Sequence, residues 1–134
     1  MYLLVFLLCV AIIFLINMAT TIPMDGSMWV SMWYTSTTDI DVLNTEIEKM
    51  LKRANFSILS ETDYRFDPLG YTKLFLLAES HFAVHTWPEH HIAWLEIASC
   101  IEEKYDALLD AIKDSRLENL HLVHSTKNTP TQNG

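Results

Sequence analysis

Basic side chains are scarce in this chain. Lysine and arginine together number 9 against 17 aspartates and glutamates in 134 residues, a net charge of −8. Sequence-independent nucleic-acid binding needs a basic surface, so nucleic acid is set aside as a partner. An acidic chain suits a small cationic ligand better. No charged residue occurs before Asp25 and no basic one before Lys49. The N-terminal run therefore lacks the basic start of a secretory signal. Tyr2 to Ile16 is apolar, with only Tyr2 and Cys9 interrupting it. Residues 1–24 are expected to form a membrane anchor, crossing through residues 2–22, with the folded domain on the cytoplasmic side. The competing expectation is a start at Met18, Met24 or Met28, which leaves a cytoplasmic protein.

Two cysteines, Cys9 and Cys100, are too few for a disulfide framework, and a reduced compartment fits. With C-x-x-C and H-E-x-x-H both missing, no metal site is expected. Only three glycines occur, none near Ser80, and there is no G-x-S-x-G elbow, which argues against a serine hydrolase.

What remains, residues 25–124, is enough for one domain with a modest core. Met28 to Tyr34 is rich in strand formers. Leu43, Ile47, Met50, Leu51 and Ala54 recur on one helical face, which Asn55 closes. Phe56 to Phe66, Thr72 to Ala78, His81 to His85 and Ile92 to Ala98 read as strands, with a turn at Asp67 to Gly70. Tyr105, Leu108, Leu109 and Ile112 mark a second helix, and Leu120 to Val123 a last edge strand. Residues 125–134 are polar and expected to be a disordered tail. The order β-α-β-β-β-β-α-β with short central connections predicts an α+β two-layer sandwich, an antiparallel sheet with two helices on one face.

Reactive groups concentrate in one stretch, "LAESHFAVHTWPEHHIAWLEIASC", Leu77 to Cys100. His81 and His85 share a strand face about 13 Å apart, too far for one metal. His90 and His91 fall in the turn after Pro88. Trp87 and Trp94 are expected in the core.

Within that stretch, the "ESH" core, "HTWPE" five residues on and the Cys twenty residues after the Ser closely resemble the short prokaryotic class of S-adenosylmethionine decarboxylase. The resemblance extends more weakly over Met28 to Glu118. It implies a self-processing, pyruvoyl-dependent lyase of polyamine (spermidine) biosynthesis. The Ser80 hydroxyl would attack the Glu79 carbonyl, the amide would become an ester, and β-elimination would cut the chain. A β chain of 1–79 and an α chain of 80–134 would result, the latter starting with a pyruvoyl group made from Ser80. That carbonyl would condense with the substrate amine and act as an electron sink.

The same resemblance assigns roles. His85 assists proton removal during processing, and Thr72, eight residues before Ser80, keeps the hydroxyl of a processing-assist serine. Cys100 protonates the substrate carbon after CO₂ leaves. A homodimer of processed protomers is implied. Trp33 or Tyr34 is expected to stack on the adenine of S-adenosylmethionine. The polar residues after that aromatic pair, Thr35 and Ser36, depart from the family's pattern. An arginine or ornithine decarboxylase on the same fold is therefore an alternative reading. A non-catalytic, membrane-tethered homologue is another; it would need none of Glu79, Ser80, His85 and Cys100.

Overall fold

The computed structural model describes residues 26–130. The expected anchor, with Cys9 inside it, lies outside the described residues. Among the described residues no helix is long and apolar enough to cross a membrane.

Six strands form one antiparallel sheet: β1 (Met28–Thr35), β2 (Ile58–Arg65), β3 (Tyr71–Leu77), β4 (Ser80–Trp87), β5 (Ile92–Ser99) and β6 (His121–Asn128). Their spatial order is β2-β3-β4-β5-β1-β6. Among the described residues two helices, α1 (Ile40–Arg53) and α2 (Glu102–Lys113), cover one face. This is the expected two-layer sandwich.

The helices form where their sequence asks for them. Asp39 caps α1, its carboxylate accepting from Val42 N–H at 2.9 Å. Leu43, Ile47, Met50 and Leu51 turn inward along one stripe. Asn55 then leaves the helix at φ 61°, a left-handed conformation that asparagine tolerates. On α2, Tyr105, Leu108, Ala111 and Ile112 are buried. Both stripes close on Trp29, Trp33, Phe75, Phe82, Val84, Leu95 and Ile97 from the central strands.

The last strand differs most from the sequence reading. The last strand runs to Asn128, so residues 125–128, expected in a disordered tail, pair with Met28–Ser31 of β1. The pairing rests on backbone hydrogen bonds, which polar side chains do not prevent. Every position of β2 is exposed, because it is the outermost strand on its side of the sheet.

Among the described residues, nothing covers the sheet face away from the helices, the open face. One row of side chains crosses all six strands there: Tyr64, Thr72, His85, Trp94, Tyr34 and His121. Trp87 is exposed and Trp94 half-buried on this open face. The expectation that both pack in the core is thereby corrected: strand alternation sends them to the side away from α1 and α2.

Candidate active site

The site begins at a turn. Leu77 pairs with Ser80, so β3 and β4 are joined by only two residues, Ala78 and Glu79. So tight a connection demands an unusual backbone, and Glu79 adopts φ 68°. A residue with a Cβ pays roughly 1–2 kcal/mol for the left-handed region. The Glu79–Ser80 peptide thus sits at the tip of a strained hairpin.

The neighbouring strand end grips this peptide from both sides. Successive residues of a strand point to opposite faces. At the end of β5, Ser99 turns toward the helices and Cys100 the other way. Cys100 Sγ donates to the Glu79 carbonyl at 3.0 Å. Ser80 Oγ donates to Ser99 Oγ at 2.8 Å. Ser80 and Ser99 are both buried, whereas Cys100 is half-buried. A nucleophilic hydroxyl, an electrophilic carbonyl and a thiol therefore meet at one peptide bond.

Thr72 and His85 form a second group. They face each other across β3 and β4, with Thr72 Oγ1 and His85 Nδ1 2.8 Å apart. This pair fixes the imidazole on the open face. His85 lies five residues along β4 from Ser80, about 16 Å by strand rise. Ser80 faces the helices and His85 the open side. Thr72 and His85 are therefore not at the Glu79 carbonyl of this chain; Ser80 and Cys100 are.

Beside His85 the open face carries a cavity of about 290 Å³, lined by Met32, His85, Trp87, Trp94, Leu95 and Glu96. His81 approaches Glu96 at 3.6 Å. Tyr34 joins this aromatic region, its ring 6.1 Å from Trp94 and stacked on His121 at 4.8 Å. Trp33 does not. It is 5% exposed among the helix-facing residues, and its indole Nε1 donates to Ser31 Oγ. The expectation that Trp33 stacks on a ligand is corrected: alternation along β1 puts it in the core and Tyr34 on the open face. His90 lies in the short 3₁₀ turn Pro88–His90, and His91 follows it at φ 53°. Among the described residues no three His, Cys, Asp or Glu converge as a metal site.

Sequence reasoning missed Ser99, and it missed Trp87 and Trp94 as cavity walls. A signal for Ser99 was present. Ala93, Leu95 and Ile97 set the buried phase of β5, and Ser99 continues that phase with a hydroxyl.

Residues 32–125 match the family described as S-adenosylmethionine decarboxylase. This chain belongs to the S-adenosylmethionine decarboxylase family. Among curated relatives, one from Parasynechococcus marenigrum is 32% identical over 102 residues, 67% of this chain and 80% of that protein. One from Prochlorococcus marinus is 45% identical over 58 residues, 43% of this chain and 46% of its own length. Both carry the name S-adenosylmethionine decarboxylase proenzyme. The chain thus spans about half the length of the Prochlorococcus relative. The crystal structure of the adenosylmethionine decarboxylase from Aquifex aeolicus has the same fold, with a TM-score of 0.62 at 22% identity over 81% of this chain and 94% of that one.

Proposed function

We propose that this chain is the precursor of a self-processing, pyruvoyl-dependent decarboxylase of S-adenosylmethionine. The observation that carries the reading is the Glu79–Ser80 peptide, at a hairpin tip with Glu79 at φ 68° and a thiol on its carbonyl. In the first step Ser80 Oγ bonds to the Glu79 carbonyl carbon. The Glu79 C–Ser80 N bond breaks, and the hydroxyl proton ends on that nitrogen. The thiol of Cys100 supports the negative charge that develops on the carbonyl oxygen. Loss of the Ser80 α-proton then expels the Glu79 carboxylate from Cβ. Water replaces the nitrogen, releasing ammonia and leaving a pyruvoyl group.

The residues around Ser80 suit such a group. The cut falls in a turn, so β3 and β4 both stay paired after it. Cys100 already lies against the peptide where the group would form. Once formed, the group supplies an electron-withdrawing carbonyl to a bound amine. This chain's own contribution is positional: Cys100 holds a transferable proton beside that position. Cys100 is half-buried and open to a ligand, as a proton donor must be.

S-adenosylmethionine is the substrate we favour. Trp87 and Trp94 offer flat faces for a purine, and the Glu96 carboxylate offers a countercharge for a sulfonium. This cavity and the Thr72–His85 pair lie far along the strands from Ser80. We therefore place the complete site between two copies in a homodimer. One copy would give Ser80, Glu79 and Cys100 at the β3–β4 turn, and the other would give His85, Thr72 and the aromatic cavity.

Intact mass spectrometry under reducing, denaturing conditions tests the reading. The expected result is two chains, one ending at Glu79 and one with a pyruvoyl-blocked start at residue 80. An uncut chain that persists after long incubation would refute it.

A further inference from the structure

We infer that Ser99 is a positioning residue for self-cleavage, holding the Ser80 hydroxyl in the orientation from which it attacks. The inference rests on the self-cleavage reading above and goes beyond it.

Ser99 is fully buried at the end of β5, directly opposite Ser80 in the sheet register. Its hydroxyl uses every hydrogen-bonding position it has. It accepts from Ser80 Oγ at 2.8 Å and from Ile101 N–H at 3.0 Å. Its own proton goes to the Ile101 carbonyl at 3.3 Å. Such a hydroxyl cannot rotate without losing partners, and no water reaches it to replace them. It therefore presents a fixed acceptor to Ser80.

The consequence for Ser80 is chemical. A serine hydroxyl attacks through a lone pair, with its proton directed elsewhere. Ser99 draws that proton toward the helix layer. The lone pairs of Ser80 Oγ are then left free of this donor bond. Attack forms the Oγ–Glu79 C bond and breaks the C–N bond, with the proton passing to the Ser80 nitrogen. Ser99 itself gains and loses nothing in that step. Cys100, the next residue, holds the Glu79 carbonyl from the other side. The last residue of β5 and the one that follows it thus fix nucleophile and electrophile together.

Two variants and two readouts test this on freshly made full-length protein. Ser99→Ala removes the acceptor, and Ser99→Thr keeps it. Misplacing one reacting group typically costs up to about 100-fold, so cleavage of Ser99→Ala should slow by about 10- to 100-fold. Ser99→Thr should recover most of the rate. Hydroxylamine, which cuts esters, separates the steps. With attack impaired, little ester accumulates, and hydroxylamine should not speed the appearance of the two chains.

Thermal melting of each variant in the Ser80→Ala background, where no cleavage occurs, measures what Ser99 gives to packing alone. A Ser99→Ala chain that melts like its parent but cleaves slowly supports positioning. If Ser99→Ala cleaves at the wild-type rate, or accumulates a hydroxylamine-sensitive ester, the inference is overturned. If wild type itself never cleaves, the underlying self-cleavage reading fails instead.

Discussion

Replacing Cys100 separates two jobs that one thiol is proposed to do. In the precursor its Sγ donates to the Glu79 carbonyl at 3.0 Å. A neutral hydrogen bond contributes about 1 kcal/mol net. At about 1.36 kcal/mol per tenfold in rate, losing it should slow cleavage about fivefold. Cys100→Ala should therefore still process, only more slowly. In the processed enzyme the same thiol is proposed to deliver a proton to substrate carbon. A general acid contributes about 10²–10⁴-fold, so turnover should fall far more than processing does. Cys100→Ser sharpens the contrast. A hydroxyl can still donate to the carbonyl and should keep cleavage close to wild type. It gives up a proton much less readily than a thiol and should not restore turnover. Processing is followed by gel or mass over time, and turnover by CO₂ released from S-adenosylmethionine by fully cut protein. Cleavage of Cys100→Ala at the wild-type rate would refute the role at the carbonyl. Full turnover by Cys100→Ser would refute the role as acid.

The Thr72–His85 pair makes a second prediction: Thr72→Val removes the partner of His85 Nδ1 and should slow cleavage by about 5- to 10-fold, with Thr72→Ser restoring it. Unaltered kinetics of Thr72→Val would show that the pair is not used. Glu46 makes a third, about stability. Its buried carboxylate accepts from Lys49 Nζ at 2.9 Å and from Arg116 N–H at 3.1 Å, and these bonds hold its pKa below the ordinary 4.5, with burial opposing them. A lowered folded-state value means the contribution is present above pH 4.5 and lost as pH falls through the folded value. Urea midpoints should thus show Glu46→Gln less stable than wild type near pH 7, with the gap closing in acid; a gap independent of pH would contradict it.

How far the sequence could be read depended on whether a position's neighbours are local. The face of α1 was legible because Leu43, Ile47, Met50 and Leu51 are neighbours along one helix. Ser80, His85 and Cys100 stood out through a motif. Which face of a strand is buried was not legible, wherever both faces are apolar. In β1, Trp29 and Trp33 face the helices while Met32 and Tyr34 face the open side. Nothing local distinguishes Trp33 from Tyr34; only the helix layer does. The same ambiguity sent Trp87 and Trp94 to the wrong side. Register was hidden as well. The motif suggested that His85 and Ser80 act at one carbonyl, yet five residues of extended chain separate them and send them to opposite faces. Ser99 was missed for the opposite reason: a buried phase was visible in β5, but its significance depends on Ser80 lying across the ladder.

The position of the proposed cut would also let two chains remain one domain. Residues 1–79 carry β1, α1, β2 and β3, and residues 80–134 carry β4, β5, α2 and β6. In the sheet these alternate rather than separate. The β3–β4, β5–β1 and β1–β6 seams all join one fragment to the other. The helices add a further join: α1 and α2 pack against each other, and Arg53 reaches Asp114 at 2.7 Å. Breaking the peptide at the Ala78–Glu79 turn removes a link between two strands that their own ladder already holds. It would also free Glu79 from a left-handed backbone that its Cβ disfavours. A cut within β3 or β4 would instead leave ladder groups unpaired. Of the positions in this hairpin, the turn is where a cut would cost the fold least, and Ser80, the proposed nucleophile, begins the strand that follows it.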